Sequence, residues 1–288
     1  MSVEEDTTTR KERPELDSSQ EETDTRVVLY ARNAADMGYK VAHIKSPDSD
    51  IFFILLYHSS YLNIEVLFES GTGNRKRLLN ISKLNKKLGH RVCSSLLSLH
   101  ALTGCDTTSS LKGIGKIKLL KILEKYPMFH ETLEKIGENW IIDEDTYLQI
   151  EMFICCLYGY PKTSQINDVR LLLLKKKCVE NDKLDSSKNI DLGALPPCRG
   201  SLKQHVMRTN YQVAVWKHAN ENYPEIPDCT LHGWKKEGDF VEPVWTEEDV
   251  LPKKLIDLMN EDEFSDNESD IEMDNSDSTT DESESEIE

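Results

Sequence analysis

Apolar positions divide the chain into a short mixed front and a long helical remainder. Between residues 23 and 37, Val27, Val28, Ala31, Ala34 and Ala35 recur at helical spacing, which predicts a helix. Residues 39–44 read as a short strand. Residues 51–57 are apolar throughout, and periodicity alone does not separate a buried helix from a buried strand. Residues 64–68 and 76–81 read as two strands joined by the turn Gly71-Thr-Gly73-Asn74. From Ser82 onward the spacing becomes helical, with predicted helices near 82–88, 91–102, 114–126, 128–138, 144–158 and 166–180. A further helix near 202–220 precedes an aromatic, Pro-containing stretch with Trp234 and Trp245. No internal repeat is visible. Strand, helix and strand followed by helices predict an α/β core with a mainly helical extension.

Charge sharpens the boundaries. Residues 261–288 carry 14 acidic residues and no Lys or Arg, and removing them takes the net charge from −17 to −3. The body is nearly neutral and the acidity sits in a tail. Such a tail buries too little apolar surface to offset chain entropy, and residues 1–20 are also polar without periodicity. The expected organisation is therefore disorder over 1–20, a core over 21–184, a linker over 185–197, a helical and aromatic extension over 198–252, and a disordered acidic tail over 253–288. Ser265, Ser283 and Ser285 each precede an acid, which suits acid-directed kinases. The tail reads as a solubilising segment or as a competitor of nucleic acid.

The seven cysteines are scattered and odd in number, and no C-x-x-C occurs. This excludes a regular disulfide framework or zinc ribbon and points to thiols in a reducing compartment. No apolar signal segment opens the chain, and the longest apolar run is far too short to span a bilayer. An intracellular location is expected. Cys198 and Cys229 with His205, His218 and His232 match no standard zinc spacing. Trp216, Tyr211 and the Cys155-Cys156 pair read as packing residues.

Three acidic clusters carry the candidate chemistry. Asp48 and Asp50 follow a predicted strand, and in extended chain residues two apart share a face, at the sheet edge where α/β proteins place their sites. A solvated turn explains the same residues. Glu22 and Asp24 stand at the start of a predicted helix, where capping and dipole effects also favour acids. Asp106 follows an apolar helix and precedes Thr-Thr-Ser-Ser. Together they offer the oxygen donors magnesium prefers, and a pair of such ions about 4 Å apart supports phosphodiester cleavage. Next comes Leu111-Lys-Gly113-Ile-Gly115-Lys116, a tight turn opening a lysine-bearing helix. Its glycines allow backbone N–H groups to approach a phosphate at a helix N-terminus. Ile114, Ile117, Leu120 and Leu123 are expected to form its buried stripe, with Lys118, Lys121 and Lys125 on another face suited to a nucleic-acid backbone. A plain amphipathic surface helix explains the same pattern. The basic turn around Gly71–Arg77 could also touch phosphate.

The run E-E-T-D-T-R (21–26), S-P-D-S-D (46–50) and L-T-G-C-D-T-T-S-S-L-K-G-I-G-K (102–116) resembles the internal half of the flap endonuclease family of 5′ nucleases, which have a PIN-like fold. The resemblance covers roughly residues 20–127. It implies a partial PIN-like core within 21–184, with an incomplete parallel sheet and a helix–two-turn–helix element near 91–126. It implies metal ligation by Glu22, Asp24, Asp48, Asp50 and Asp106, with Asp48 and Asp50 catalytic and Asp24 standing where the family has Glu. Two magnesium ions are implied, as is seating of duplex backbone by Gly113, Gly115, Lys116 and Lys118, with a monovalent cation at that turn. DNA is the implied partner, RNA a second, and such a substrate implies the nucleus. The family carries two further metal-binding Asp residues in an N-terminal half, whereas 21 residues precede Glu22 here. The expectation is therefore divided: a structure-selective nuclease, completed by an upstream segment or a second chain, or a binding module without catalysis. The pattern N-Y-Q-V-A-V-W-K (210–217) with H-G-W (232–234) is similar to uncharacterised animal proteins, some of them derived from mobile elements.

Overall fold

The computed structural model describes residues 2–4, 7–9, 12–180, 183–184 and 192–247. The acidic tail and the first part of the expected linker lie outside the described residues. In chain order the elements are β1 (Ser2–Glu4), β2 (Thr7–Thr9), α1 (Thr23–Asp36), β3 (Val41–Lys45), α2 (Ser49–His58), β4 (Glu65–Ser70), β5 (Arg77–Asn80), α3 (Ile81–Leu88), α4 (His90–Leu102) and α5 (Lys116–Lys125). They continue as α6 (Phe129–Lys135), α7 (Glu144–Leu157), α8 (Ile166–Cys178), β6 (Val179–Glu180), β7 (Lys183–Leu184), α9 (Arg199–Lys217), β8 (Trp234–Glu237) and β9 (Phe240–Pro243). The fold is mixed α/β and dominated by helices.

β3, β4 and β5 form the one sheet of more than two strands among the described residues. β3 and β4 run parallel, with Val41 opposite Glu65 and Lys45 opposite Glu69, and β5 is antiparallel to β4. The resemblance implied an incomplete parallel sheet, whereas the turn Gly71–Asn74 joined the last two strands. The six-residue link between β4 and β5 is too short for the crossover a parallel neighbour needs, so β5 returns as a hairpin. The ambiguous run 51–57 is helical and lies within α2, which makes the crossover between the parallel pair. Ile51, Ile54, Leu55 and Leu56 of that helix are buried.

One apolar core joins the front and the back of the chain. α9 brings Leu202, Val206, Val213 and Trp216 into the cluster formed by α2, α4 and α7. α9 packs on α2, α4 and α7, and residues 198–247 belong to the same compact unit as residues 21–180. The extension expected beyond a linker is thus a part of the core. Its two quoted patterns meet in space, where the Tyr211 and His232 rings lie 4.9 Å apart. Arg208 of α9, itself buried, donates to the Gly233 and Val244 carbonyls and lies over the rings of Trp234 and Trp245. Gly233 has φ +86°, and a Cβ there would meet the Gln204 carbonyl at 2.7 Å, so glycine is required at the centre of H-G-W.

Residues 12–20, expected without structure, also pack. Pro14–Leu16 forms a 3₁₀ turn, and the buried Gln20 amide donates to the Ala219 and Glu221 carbonyls beyond α9. α5 departs from its expected stripe. Ile114, Leu119 and Leu123 are buried, but Ile117 is 72% exposed and Leu120 is 41% exposed. The run offers two overlapping apolar faces, and the one through Leu119 and Leu123 wins the contact with the core. Among the described residues no helix is long and apolar enough to cross a membrane.

Candidate carboxylate site

Glu22 is the N-cap of α1, yet its side chain makes no capping hydrogen bond. Its carboxylate turns instead to α9, where the Gln212 amide donates to both oxygens at 3.2 Å and the Trp216 side chain also donates. Gln212 and Trp216 are four residues apart and share a helical face. The Gln212 carbonyl oxygen accepts from the Thr107 hydroxyl at 2.8 Å. One side chain therefore ties the start of α1 to the loop that carries Asp106. That loop is itself pinned, because the Thr108 hydroxyl donates to the Ala101 carbonyl and accepts from the Cys105 N–H.

The second acidic pair lies at the start of α2, just past β3. These residues were expected in extended chain with both carboxylates facing one way. Asp48 is instead the helix N-cap, its Oδ1 accepting from the Asp50 N–H at 2.8 Å. Asp50 is already in the first helical turn and is buried, and its Oδ1 receives His100 Nε2 at 2.6 Å. Asp48 keeps the extended backbone usual for an N-cap, with φ −79° and ψ 129°, but Asp50 is already helical, so the alternation that would align the two carboxylates is lost. His100, on α4, is held in a stack between Phe53 at 4.2 Å and Trp216 at 5.9 Å. With Nε2 directed at Asp50, its buried Nδ1 has no partner.

The acids sense one another. Burial raises the Glu22 pKa against donors that lower it, with Asp50 and Asp106 adding to the rise. The Asp24 pKa is pushed up to about 6, first by burial and then by Asp48, Asp50, Glu22 and Asp106. Five carboxylates from three separate segments thus share one electrostatic neighbourhood. They do not form a closed cage: among the described residues, no three His, Cys, Asp or Glu side chains gather tightly enough to hold one ion. Glu22, Gln212 and Thr107 also line a cleft of about 780 Å³ together with Tyr211 and Trp234.

The Gly-Ile-Gly turn lies next to this neighbourhood. Gly113 has φ +76°, and neither it nor Gly115, the α5 N-cap, has any atom within 4 Å of an added Cβ. The backbone there is open to a large ligand. Lys116 and Lys118 are exposed. The Lys116 ammonium sits 5.6 Å from the Phe53 ring centroid, so Lys116, Phe53, His100 and Asp50 form a continuous series of contacts from the turn to the acids. Of the Cys and His residues whose spacing fits no zinc pattern, His205 and His218 each bond a backbone carbonyl.

Sequence reasoning missed His100, Gln212 and Trp216 as parts of the site. The spacing of Gln212 and Trp216 within N-Y-Q-V-A-V-W-K was the available signal for two of them. Nothing local marks His100. No family model, no curated protein and no solved structure matches the chain.

Proposed function

We propose that the chain is a flap-endonuclease-like domain of PIN-like fold that binds magnesium at its carboxylate rim and hydrolyses phosphodiester bonds in structured DNA. The observation that carries this reading is the shared electrostatic neighbourhood of Glu22, Asp24, Asp48, Asp50 and Asp106, expressed in the raised Asp24 pKa. Carboxylate oxygens are the donors magnesium selects, and the repulsion among these acids is what a dication relieves. Glu22, Asp24, Asp48 and Asp106 would hold it. Asp50, buried and bonded to His100, acts from behind. A bound magnesium ion supplies Lewis-acid polarisation and a more acidic water.

The chain's own residues do the rest. Gln212 and Trp216 keep the Glu22 carboxylate from capping α1 and present it to the cleft. The α5 N-terminus with Gly113 and Gly115 accepts a backbone phosphate, or a monovalent cation bridging to one, and Lys116 and Lys118 neutralise its neighbours. RNA offers the same backbone chemistry, and a nuclear location is what a DNA substrate would imply. An upstream segment or second chain would add further acids to the open rim. A non-catalytic binding module is the second reading. The capture of Asp50 by His100 and the absence of a closed three-ligand group among the described residues favour it.

Magnesium titration by calorimetry, paired with incubation on flap and hairpin DNA, tests the proposal. Saturable magnesium binding and cleavage, both abolished in Asp48→Asn, are expected. DNA binding that survives chelation without any cleavage overturns the enzymatic reading in favour of the module.

A further inference from the structure

α5 rests lightly on both α7 and α4. Between α4 and α5 lies an apolar groove of about 450 Å³, walled by Leu119, Leu120 and Leu123 on one side and Leu96 and Leu99 on the other, with Phe53 at its base. The α5 residues that border it run from Lys116 to Glu124 and the α4 residues from Val92 to His100. Each wall is therefore about 12 Å long, two helical turns. Ile117 and Leu120, the exposed apolar residues of α5, extend this surface outward. The lining is mainly aliphatic, with His100, Lys116, Glu124 and His130 as its polar members, so the groove suits branched side chains.

Its surroundings are basic. Lys116 stands at one end, Lys118, Lys121 and Lys125 are exposed along α5, and Lys86 and Lys87 close α3 beside the groove residue Leu88. Glu124 is the single acid of α5. We propose that the groove receives an amphipathic helix of a partner protein, with leucine-like anchors at i, i+4 and i+7 and acidic flanks. Helix-in-groove recognition supplies the affinity through the anchors, and the lysines select for acidic and against basic partners. This docking surface is independent of the nuclease reading. Where both hold, partner and nucleic acid share Lys116 and Lys118 and each weakens the other.

The test uses the full chain and a fluorescein-labelled four-turn helical peptide with leucines at i, i+4 and i+7 and glutamate and alanine elsewhere. Fluorescence anisotropy should show saturable binding that Leu120→Glu weakens about tenfold and Ile117→Glu and Lys116→Glu weaken severalfold. The same peptide with lysine for glutamate should not bind. The substituted residues are exposed, so circular dichroism melts of the variants should match the wild type. Three results overturn the proposal: no saturable binding, binding indifferent to both Leu120→Glu and Ile117→Glu, or a dimer in sedimentation that Leu120→Glu dissociates. The last would give the groove to a second copy of the chain.

Discussion

The carboxylate rim and the lysine helix carry opposite charges in opposite ways. At the rim, partners distant in sequence hold the acids: Gln212 and Trp216 hold Glu22, and His100 holds Asp50. On α5, Lys116, Lys118, Lys121 and Lys125 extend into solvent, and the helix carrying them rests on few neighbours. Burying like charges together costs stability, and the surrounding packing must offset it. Exposed charge costs little and gives little. Perturbing the rim should therefore move folding, while perturbing α5 should move binding and leave folding alone.

Trp216→Ala is the strongest way to break this contrast. Trp216 is buried, stacks on His100 and donates to Glu22. Its loss should cost about 3–5 kcal/mol by the usual range for large core truncations, with a matching fall in Tm by calorimetry. Leu120→Ala, at a half-exposed position on α5, should cost less than about 1 kcal/mol. Equal losses at the two positions would erase the distinction.

Acid provides the next largest effect. His58 Nε2 bonds the Trp216 carbonyl at 2.8 Å and His205 Nε2 bonds the Leu102 carbonyl at 2.9 Å, and burial pushes both pKa values down to about 4. The unfolded chain takes up these protons near the ordinary histidine value of 6.5, earlier than the native state does. Stability is therefore complete above pH 6.5 and falls as pH drops towards 4. At pH 5 each histidine should cost about 2 kcal/mol, read from urea unfolding at pH 7 and pH 5. His58→Gln should remove part of that slope. Asp24 works in the other direction: its pKa is raised to about 6, so the native state is penalised above pH 6 and relieved as pH falls. Because Asp24 is partly exposed, screening reduces the penalty. Asp24→Asn in chelator at pH 8 should stabilise the fold by no more than about 1 kcal/mol, or a few degrees in Tm. Magnesium should raise the wild-type Tm more than that of the variant.

Much of this contrast was legible along the chain where it depends on local pattern, and lost where it depends on return contacts. The helices of the body and the β4–β5 hairpin follow from periodicity and from the glycine turn, to within a few residues at their ends. The run 51–57 was ambiguous because a helix buried on most sides has no polar face to mark its period, and only the crossover between β3 and β4 makes it α2. α5 misled for the opposite reason: five apolar residues in ten positions offer two stripes, and tertiary packing picks one. The five acids could be chosen from sequence, but not their states. Asp48 reads as a ligand or as part of a solvated turn, and its capping role shows only once the Asp50 N–H is placed 2.8 Å from its carboxylate. Gln212 reaches Glu22 across 190 residues of chain, a separation no local pattern encodes.

The smallest effect tests the other half of the comparison. Lys118 is exposed on the first turn of α5, where a single charge contributes little to folding. Lys118→Gln should leave the Tm unchanged. If the lysine meets a phosphate, its removal releases one fewer counterion on binding. The slope of log affinity against log salt should then flatten by about 0.9 on duplex DNA, with affinity reduced about two- to threefold at physiological salt. The loss should be uniform across DNA sequences, because a backbone contact reads no base. An unchanged slope would place the nucleic acid elsewhere and leave α5 as a solvated helix beside its groove. A changed Tm would mean that exposed charge on α5 is coupled to the fold, and the separation between the two regions would fail from the side where it looked safest.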